Sequence, residues 1–319
     1  MYLSEVKKTQ TTARVVAYSV SEETGEKIIT FELEYPRLIH SEFMTHRLFS
    51  RNAASSRAIP VSKTIEMIRE NPAMPVRFGA NQAGMQDKGV EHDGRVRVNP
   101  LVTGWSGEVT GREAWTLAAM DAVGHAERLN EAGFHKQLVG RVLEPFQYIK
   151  TVVTFTGEGA NFFGLRYEDS ADPTICELAQ CMKEAMELAP MKYLKSGDWH
   201  MPYYKDGAFI KGRDRSLQKA LKISASCCAQ VSYRKLDDSS EKAEMVYDRL
   251  VNSKPVHASP FEHQATPLKK GIGFRSKFVT HVDRQGHSWS GNFRNFGQHR
   301  QIIPDNVFEE VLVPFSESN

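Results

Sequence analysis

The chain has little cysteine and almost no net charge. Its 319 residues include 4 cysteines, and 41 Lys and Arg are nearly balanced by 39 Asp and Glu. Cys176 and Cys181 fall within one helical pattern, and Cys227 and Cys228 are adjacent. Neither pair has zinc-finger spacing, and nothing indicates a disulfide framework. Because the net charge is only +2, any preference for anions must come from local clusters of basic residues.

Long apolar runs are also missing. No run approaches the ~20 residues that cross a bilayer, and residues 1–8 lack the apolar core of a secretory signal. We therefore expect a cytoplasmic, reduced protein. The sequence has no internal repeat and no low-complexity segment, and its length suits one large domain or two small ones.

Residue patterns predict a mixed α/β chain. β-Branched and aromatic residues predict strands over Ile28–His40, interrupted by Pro36, and a strand or a buried helical turn over Tyr148–Phe155. Gly, Pro and polar residues predict a long loop or insertion over Asn71–Gly111 and a second loop over Ser196–Gly212. Apolar residues at helical spacing predict helices over Arg112–Leu143, broken at Ala132-Gly133, over Asp172 to about Leu194, over Ser216–Val231 and over Ser240–Val251.

The segment Thr45–Arg57, after the first predicted strand, is a dense array of hydrogen-bond donors. It holds Arg47, Arg51 and Arg57 together with a histidine, an asparagine and three serines. Arginine offers a fixed fork of N–H donors that fits phosphate, and serine hydroxyls can bind the remaining oxygens. Apolar neighbours indicate partial burial and a need for partners. We interpret the segment as a site for an anionic, planar ligand such as a nucleotide or a flavin; the alternative is a solvated basic turn.

Three further segments carry possible chemistry. Asn161–Arg166 has one arginine among apolar residues, and taken alone it is most simply part of the core. His257–His263 places two histidines near a glutamate, but Pro260 forbids the continuous helix of a His-Glu-x-x-His site, so zinc binding is the minority interpretation. Asn292–Arg300 interleaves aromatic and basic residues, as binders of single-stranded nucleic acid do.

Together these segments resemble the flavin-dependent thymidylate synthases (ThyX). The family signature is Arg-His-Arg, seven residues, then Ser-x-Arg. Thr45-His46-Arg47 and Ser55-Ser56-Arg57 match it, except that Thr45 replaces the first arginine. Asn161–Arg166 matches the family's Asn-x-x-x-Leu-Arg. The other matches are Thr30–Arg37, Arg141 with Pro145, Val231-Ser232-Tyr233 and Ser259–His263.

The order of these segments differs from the family's order. Val231–Tyr233 and Ser259–His263 normally precede the signature, and here they follow it. The simplest account is a circularly permuted or rearranged fold, which is tolerated where termini are exposed and close together. The alternative is chance similarity of short peptides. The resemblance implies one domain over residues 1–319, with an insertion at about 71–111 and an extra C-terminal segment at about 268–319.

The resemblance implies an α/β (α+β) fold, with a mixed sheet and flanking helices, that assembles as a homotetramer with FAD bound across subunits. It implies reductive methylation of dUMP to dTMP, in which methylenetetrahydrofolate supplies the carbon and FAD, reduced by NADPH, supplies the hydride. Such chemistry needs no cysteine nucleophile, no metal, no nucleic acid and no membrane.

Residue roles follow from the same resemblance. Arg166 is expected to hold the uracil edge and to stabilise negative charge on the ring, and Ser55 to contact the base, so these two are the expected catalytic residues. The residues expected to contact the cofactor are His46, Arg47, Asn52, Asn161 and His263. The residues expected to contact the nucleotide are Glu42, Ser55, Ser56, Arg57, Arg141 and Arg166.

Three positions depart from the family pattern and leave alternatives open. Thr45 and Ala53 remove a charge and a carboxylate, and Glu42 stands where many members have glutamine. Because a carboxylate and an amide read different donor patterns, hydroxymethylation or another C5 modification of dUMP or dCMP is the alternative within the enzyme class. The alternatives outside it are a non-catalytic protein that binds single-stranded nucleic acid and an inactive relative of the family.

Overall fold

The computed structural model describes residues 2–55, 59–84, 89–99, 106–231 and 236–307. The predicted mixed α/β class is confirmed. The strands are β1 (Ser4–Lys7), β2 (Thr12–Ser21), β3 (Lys27–Pro36), β4 (Ser50–Ala53), β5 (Arg95–Val98), β6 (Gly107–Thr110), β7 (Tyr148–Thr156), β8 (Lys192–Leu194), β9 (Trp199–His200), β10 (Ala208–Phe209), β11 (Ala265–Pro267), β12 (His281–Val282), β13 (Ser288–Ser290), β14 (Phe293–Arg294) and β15 (Phe296–Gln298). The helices are α1 (His40–Phe43), α2 (Val61–Glu70), α3 (Gly111–Glu131), α4 (Lys136–Val142), α5 (Ala160–Arg166), α6 (Pro173–Leu188), α7 (Leu217–Ala229) and α8 (Ser240–Val251).

A sheet of six described strands forms the centre of the fold. Its order is β1-β2-β3-β7-β4 with antiparallel neighbours, and β8 pairs in parallel with β2. β3 and β7 are buried along nearly their whole length, which explains why both of their faces carry apolar and β-branched residues. Successive side chains of a strand point to opposite faces. We call the two faces of β3 and β7 the odd face and the even face, after the numbers of the residues on them.

The odd face carries the main apolar core. Phe31 and Phe155 stack there at 6.2 Å between ring centroids, and Phe49 meets Phe155 at 5.4 Å. Phe162 of α5 and the apolar side of α6 close this core. The middle of the chain therefore covers the odd face.

The even face is covered by the C-terminal part of the chain. The small sheet β10-β9-β11-β15 lies on this side. α7 lies beside it, with Cys227 and Cys228 packed in one cluster with Val16 and Val152. Both faces of the central sheet are thus buried by later parts of the chain.

α2, α3 and α4 form a separate apolar cluster. Thr110 and Glu113 make a capping box at the start of α3. Gly133, with φ of 81°, takes up the left-handed conformation that ends many helices. The predicted break at Ala132-Gly133 is confirmed, because α3 ends at Glu131 and α4 begins at Lys136.

α6 begins as predicted and ends earlier. Asp172 caps its N-terminus by accepting from two backbone N–H groups at 2.8 and 3.2 Å. The helix stops at Leu188, well before the predicted end near Leu194. Ala189 precedes Pro190 and is extended, with ψ of 133°, since a residue before proline avoids the helical region.

Three other predictions differ from the structure. β3 ends at Pro36, and the chain continues through the 3-10 turn Arg37–Ile39 into α1, where extended structure was predicted as far as His40. The predicted loop Asn71–Gly111 contains the antiparallel pair β5 and β6 in its described part. The predicted loop Ser196–Gly212 contains the antiparallel pair β9 and β10. Among the described residues, no helix is both long and apolar enough to cross a membrane. The circular permutation and the single-domain limits stay predictions.

Candidate functional site

Arg166, the last residue of α5, stands between Glu42 and His46. Its Nη1 donates to Oε1 of Glu42, and its Nε donates to Nε2 of His46 at 2.9 Å. Nη2 makes no hydrogen bond with any described residue. The side chains of Arg166 and Glu42 are 22% and 35% exposed, so this ion pair is open to solvent and to a ligand.

His46 is neutral and carries its hydrogen on Nδ1. Arginine has donors only, so Nε2 of His46 must accept from Arg166. Burial of the ring lowers the pKa of His46, and the charge of Arg166 lowers it further. The ring packs edge-on against Phe162 at 5.0 Å, which fixes its plane. His46 therefore orients the guanidinium, and because the ring is neutral it does not compete with Arg166 for an anion.

Arg51 supports the loop that carries His46. It leaves β4 on the same side as Arg166, and its Nη1 donates to the carbonyl oxygens of Met44 and His46 at 2.6 and 3.2 Å. Both of these hydrogen bonds are made to the backbone. The predicted array of arginines over Thr45–Arg57 is therefore partly structural.

Ser50 and Asn52 leave β4 on the even face. Oγ of Ser50 lies 2.9 Å from Oδ1 of Asn292 and 3.0 Å from Nε2 of Gln298. Nδ2 of Asn52 donates to the carbonyl oxygen of Cys228 at 3.2 Å. Because strand side chains alternate, the donor-rich segment is divided between two faces and is not one contiguous array. The role of Asn52 in cofactor binding stays a prediction.

The remaining residues of the predicted signature lie at the surface or outside the described part of the chain. Arg47 precedes β4 in the sequence and Ser55 follows it, and both are exposed. Asn161 is exposed on the first turn of α5. The predicted residues that lie outside the described ranges are Ser56, Arg57, Ser232 and Tyr233. The roles assigned to all of them stay predictions.

Arg141 lies on α4 and has an internal partner. Its Nη1 donates to Oε1 of Glu144 at 3.0 Å, and Arg37 donates to the same oxygen at 2.9 Å. The side chain of Arg141 is nevertheless exposed. Its role in phosphate binding stays a prediction.

His263 lies on the even face, across the sheet from Arg166. It is fully buried, and its Nδ1 lies 2.8 Å from Oγ1 of Thr154 on β7. The next residue, Phe155, packs in the core of the odd face. Burial lowers the pKa of His263 to about 3. Within one chain, His263 and Arg166 thus face opposite layers.

The C-terminal segments that carry the resemblance nevertheless reach β4. The 3-10 turn Ser259–Glu262 packs against this strand. Nδ2 of Asn292 donates to the carbonyl oxygen of Leu48 at 2.8 Å. Segments that are far apart in the sequence therefore meet at the strand that follows His46.

Asn292–Arg300 does not form a surface on which bases could stack. Phe293 and Phe296 are 0% exposed. Arg294 pairs with Glu26, and Arg300 pairs with Glu262. The pattern builds core and ion pairs, so the interpretation as a single-strand binding segment loses its basis, because stacking needs exposed rings.

A set of buried polar groups on the even face was not predicted from the sequence. His200 hydrogen-bonds Ser19 and Thr30, and Thr30 hydrogen-bonds Thr154. All four side chains are fully buried. Alternating threonines also occur in half-exposed strands, and His200 lies within the predicted loop Ser196–Gly212, which has no periodicity. No sequence signal could have found this set.

Metal and thiol chemistry find no support in the described ranges. No group of three His, Cys, Asp or Glu side chains there could hold a metal ion. The four cysteines are buried, and burial raises the pKa of Cys181 to about 11 and that of Cys227 to about 12. A buried thiol with a raised pKa is a poor nucleophile.

Two clefts lie apart from the Arg166 ion pair. One, of about 640 Å³, is lined by Asp169 and Ser170 after α5 and by Cys176 and Glu177 of α6. The other, of about 550 Å³, lies at the β2–β3 turn. Arg166 lines neither of them.

Comparisons with known proteins give a distant likeness. A scan against models of protein families matches none, and a search of curated proteins finds no match. Two crystal structures of the UMP/dUMP methylase PolB from Streptomyces cacaoi, one bound with 5-Br dUMP and one with 5-Br UMP, resemble the chain with 16% identity and a TM-score of 0.40. The match covers 58% of this chain and 92% and 91% of those chains. The structural neighbours are thus nucleotide methylases, and a likeness this distant carries no conclusion about the activity of this chain.

Proposed function

We propose that the chain is a FAD-dependent enzyme that reductively methylates dUMP to dTMP, with methylenetetrahydrofolate and NADPH as co-substrates. One observation carries the proposal. Three residues that the family resemblance assigns to one site, Glu42, His46 and Arg166, share hydrogen bonds although α5 lies far along the chain from the other two. Chance similarity of short peptides would not bring such residues into contact.

Arg166 is the residue that we assign to the pyrimidine. Glu42 and His46 use its Nη1 and Nε and hold the guanidinium in one plane, which leaves Nη2 for a ring oxygen. A fixed cationic donor at that oxygen stabilises the negative charge that develops on the ring when C5 forms its new bond. Because the donor is already oriented, the reaction pays little to reorganise it.

The donor set near β4 and α5 fits a flavin nucleotide. Exposed Arg47 and Asn161 offer donors to phosphate and ring oxygens. Leu165, beside Arg166, is 54% exposed and offers apolar surface to a flat ring. We assign FAD to Arg47 and Asn161, with His46 orienting the guanidinium next to it. Bound FAD, once reduced, supplies the hydride.

The open position of Arg166 fits a site that is completed by another copy of the chain. Leu165 and Tyr167 flank Arg166, and both are exposed apolar side chains. Burying them against a second copy would remove apolar surface from water. We therefore retain the homotetramer, with FAD held across subunits, as part of the proposal.

Glu42 favours a second candidate, which is another C5 modification, such as hydroxymethylation, of dUMP or dCMP. Its carboxylate lies on Arg166 and only accepts hydrogen bonds. Cytosine presents an amino donor where uracil presents a carbonyl acceptor. A carboxylate at this place therefore favours an amino group over a carbonyl group.

A spectrum and a product analysis test both candidates. We expect purified protein to be yellow and to release FAD on denaturation. It is then incubated with methylenetetrahydrofolate and NADPH and with either dUMP or dCMP. Formation of dTMP supports the first candidate, and a hydroxymethylated or cytosine product supports the second. Protein that cannot be reconstituted with FAD contradicts both, and steeply salt-dependent binding to single strands would then indicate the non-catalytic alternative.

A further inference from the structure

Four hydrogen bonds join five buried side chains on the even face. Oγ of Ser19 lies 2.9 Å from Nδ1 of His200, and Nε2 of His200 lies 2.8 Å from Oγ1 of Thr30. Oγ1 of Thr30 lies 2.7 Å from Oγ1 of Thr154, which lies 2.8 Å from Nδ1 of His263. All five side chains are fully buried. We call this set the buried row.

The buried row has one more side-chain O–H or N–H hydrogen than it has hydrogen bonds. Burial lowers the pKa of His200 and that of His263 to about 3, so both rings are neutral. Each hydroxyl and each neutral imidazole then carries one hydrogen. At one end of the row, Nε2 of His263 makes no hydrogen bond with any described residue. At the other end, the hydroxyl of Ser19 bonds to His200.

Only one direction of the hydrogen bonds leaves a single group unpaired. In it, Ser19 donates to His200, His200 to Thr30, Thr30 to Thr154 and Thr154 to His263, and the unpaired group is the N–H at Nε2 of His263. In every other arrangement that keeps all four hydrogen bonds, Nδ1 of His263 carries the hydrogen. Nε2 is then an unpaired acceptor, and one hydroxyl is an unpaired donor as well. Since each unpaired buried polar group costs free energy, the first direction is favoured.

We propose that Ser19, Thr30, Thr154 and His200 are positioning residues that hold His263 as a neutral imidazole with its hydrogen on Nε2. His263 then offers a fixed N–H donor to a hydrogen-bond acceptor. It does not take up a proton at Nε2 as a general base. This inference depends on the hydrogen bonds alone and stands apart from the proposed function.

Nitrogen NMR of the full chain, labelled with ¹⁵N in its histidines, tests the proposal, because ring-nitrogen shifts distinguish N–H from bare nitrogen. His200→Gln and His263→Gln assign the two signals, and His257→Gln at an exposed position of the same region is the control. At pH 7 we expect both buried rings to be neutral with the hydrogen on Nε2. A hydrogen on Nδ1 of His263, or a protonated ring, would overturn the proposal.

A pair of substitutions separates positioning from packing. Thr154→Val removes the hydroxyl that donates to His263, whereas Thr154→Ser keeps it. We expect a mixture of His263 tautomers in the valine variant and the single Nε2–H form in the serine variant. If the folded valine variant keeps the single form, the proposal is wrong.

Ser19→Ala supplies a second measurement if Thr154→Val does not fold. Ser19 hydrogen-bonds His200, whereas His263 hydrogen-bonds Thr154, so the loss of one hydroxyl at residue 19 would reach His263 through the hydrogen bonds of the row. We expect His200 to lose its single tautomer and the ring-nitrogen signals of His263 to shift with it. Unchanged signals from both rings would contradict the proposal.

Discussion

The two faces of the central sheet accommodate polar groups in different ways. On the odd face Arg166 meets Glu42 in an ion pair that is partly exposed. On the even face neutral hydroxyl and imidazole groups are fully buried and linked in the buried row. Charged groups are costly to bury even when they are paired, whereas neutral groups can be buried if each finds a partner. The comparison agrees with the two proposals, which assign charged ligands to the Arg166 side and orientation of His263 to the other.

The largest effect is expected from Arg166→Ala. Turnover of the nucleotide should fall about 10²–10³-fold, the usual loss when one oriented donor to developing charge is removed. The fold should survive, because a partly exposed ion pair contributes little to stability. Product formation under saturating substrate and thermal unfolding of the same preparation measure the two quantities.

Arg69→Ala is the matched control for that substitution. Arg69 also forms a partly exposed ion pair, with Glu127, but within the α2–α3 cluster and away from Arg166. Its loss should leave turnover unchanged. Equal activity of the two variants would show that the chemistry does not take place at Arg166.

Acid should lower the free energy of unfolding mainly through the buried histidines of the even face. His200 and His263 stay neutral in the folded protein down to a pKa of about 3, whereas in the unfolded chain they bind protons below about pH 6.5. The unfolded state therefore binds more protons in this window, and the free energy of unfolding falls as the pH falls. Between pH 7.5 and 5.5 each histidine should lower the free energy of unfolding by about 1.4 kcal/mol in total, because its proton is bound in the unfolded state only as the pH falls through about 6.5.

Urea unfolding at pH values between 7.5 and 5.5 measures this slope. The buried His299 and the half-buried His40 also have a lowered pKa and add to the slope with the same sign. The difference between the chain and His200→Gln isolates one contribution. A slope that is the same in both proteins would mean that His200 is not held neutral by the fold.

Regular elements with local signals were predictable from the sequence, and contacts between distant segments were not. Helix α8 has the predicted bounds Ser240–Val251, because its cap and apolar spacing are local. That Arg166 and His46 belong to one site was expected only from the family resemblance, and their hydrogen bond was not predicted. The bond between Ser19 and His200 joins residues 181 positions apart. No local pattern encodes such a pair, since the topology of the sheet brings it together.

Thr154→Val should disrupt the hydrogen bonds of the even face and leave the contacts of the odd face intact. It leaves the hydroxyl of Thr30 without its acceptor and Nδ1 of His263 without its donor. The free energy of unfolding should fall by about 1–3 kcal/mol for each unpaired group. Thr154→Ser should recover most of this loss. Thr64→Val, at a threonine on α2 that bonds only to a nearby backbone carbonyl oxygen, is the control, and an equal loss there would remove the special role of Thr154.

Glu42→Gln, on the odd face, is expected to have the smallest effect of these substitutions. It is also the sharpest test of substrate choice. The amide keeps the size of the side chain but adds an N–H donor and removes the charge that neutralises Arg166. We expect the ratio of kcat/KM for dUMP to that for dCMP to rise by about tenfold, which is the scale of one altered contact. Glu5→Gln, at a second partly exposed glutamate that pairs with an arginine, should leave the ratio unchanged. Because a general loss of folding or of cofactor lowers both rates together, a ratio that stays constant in Glu42→Gln would show that Glu42 does not read the base, whatever happens to the absolute rates.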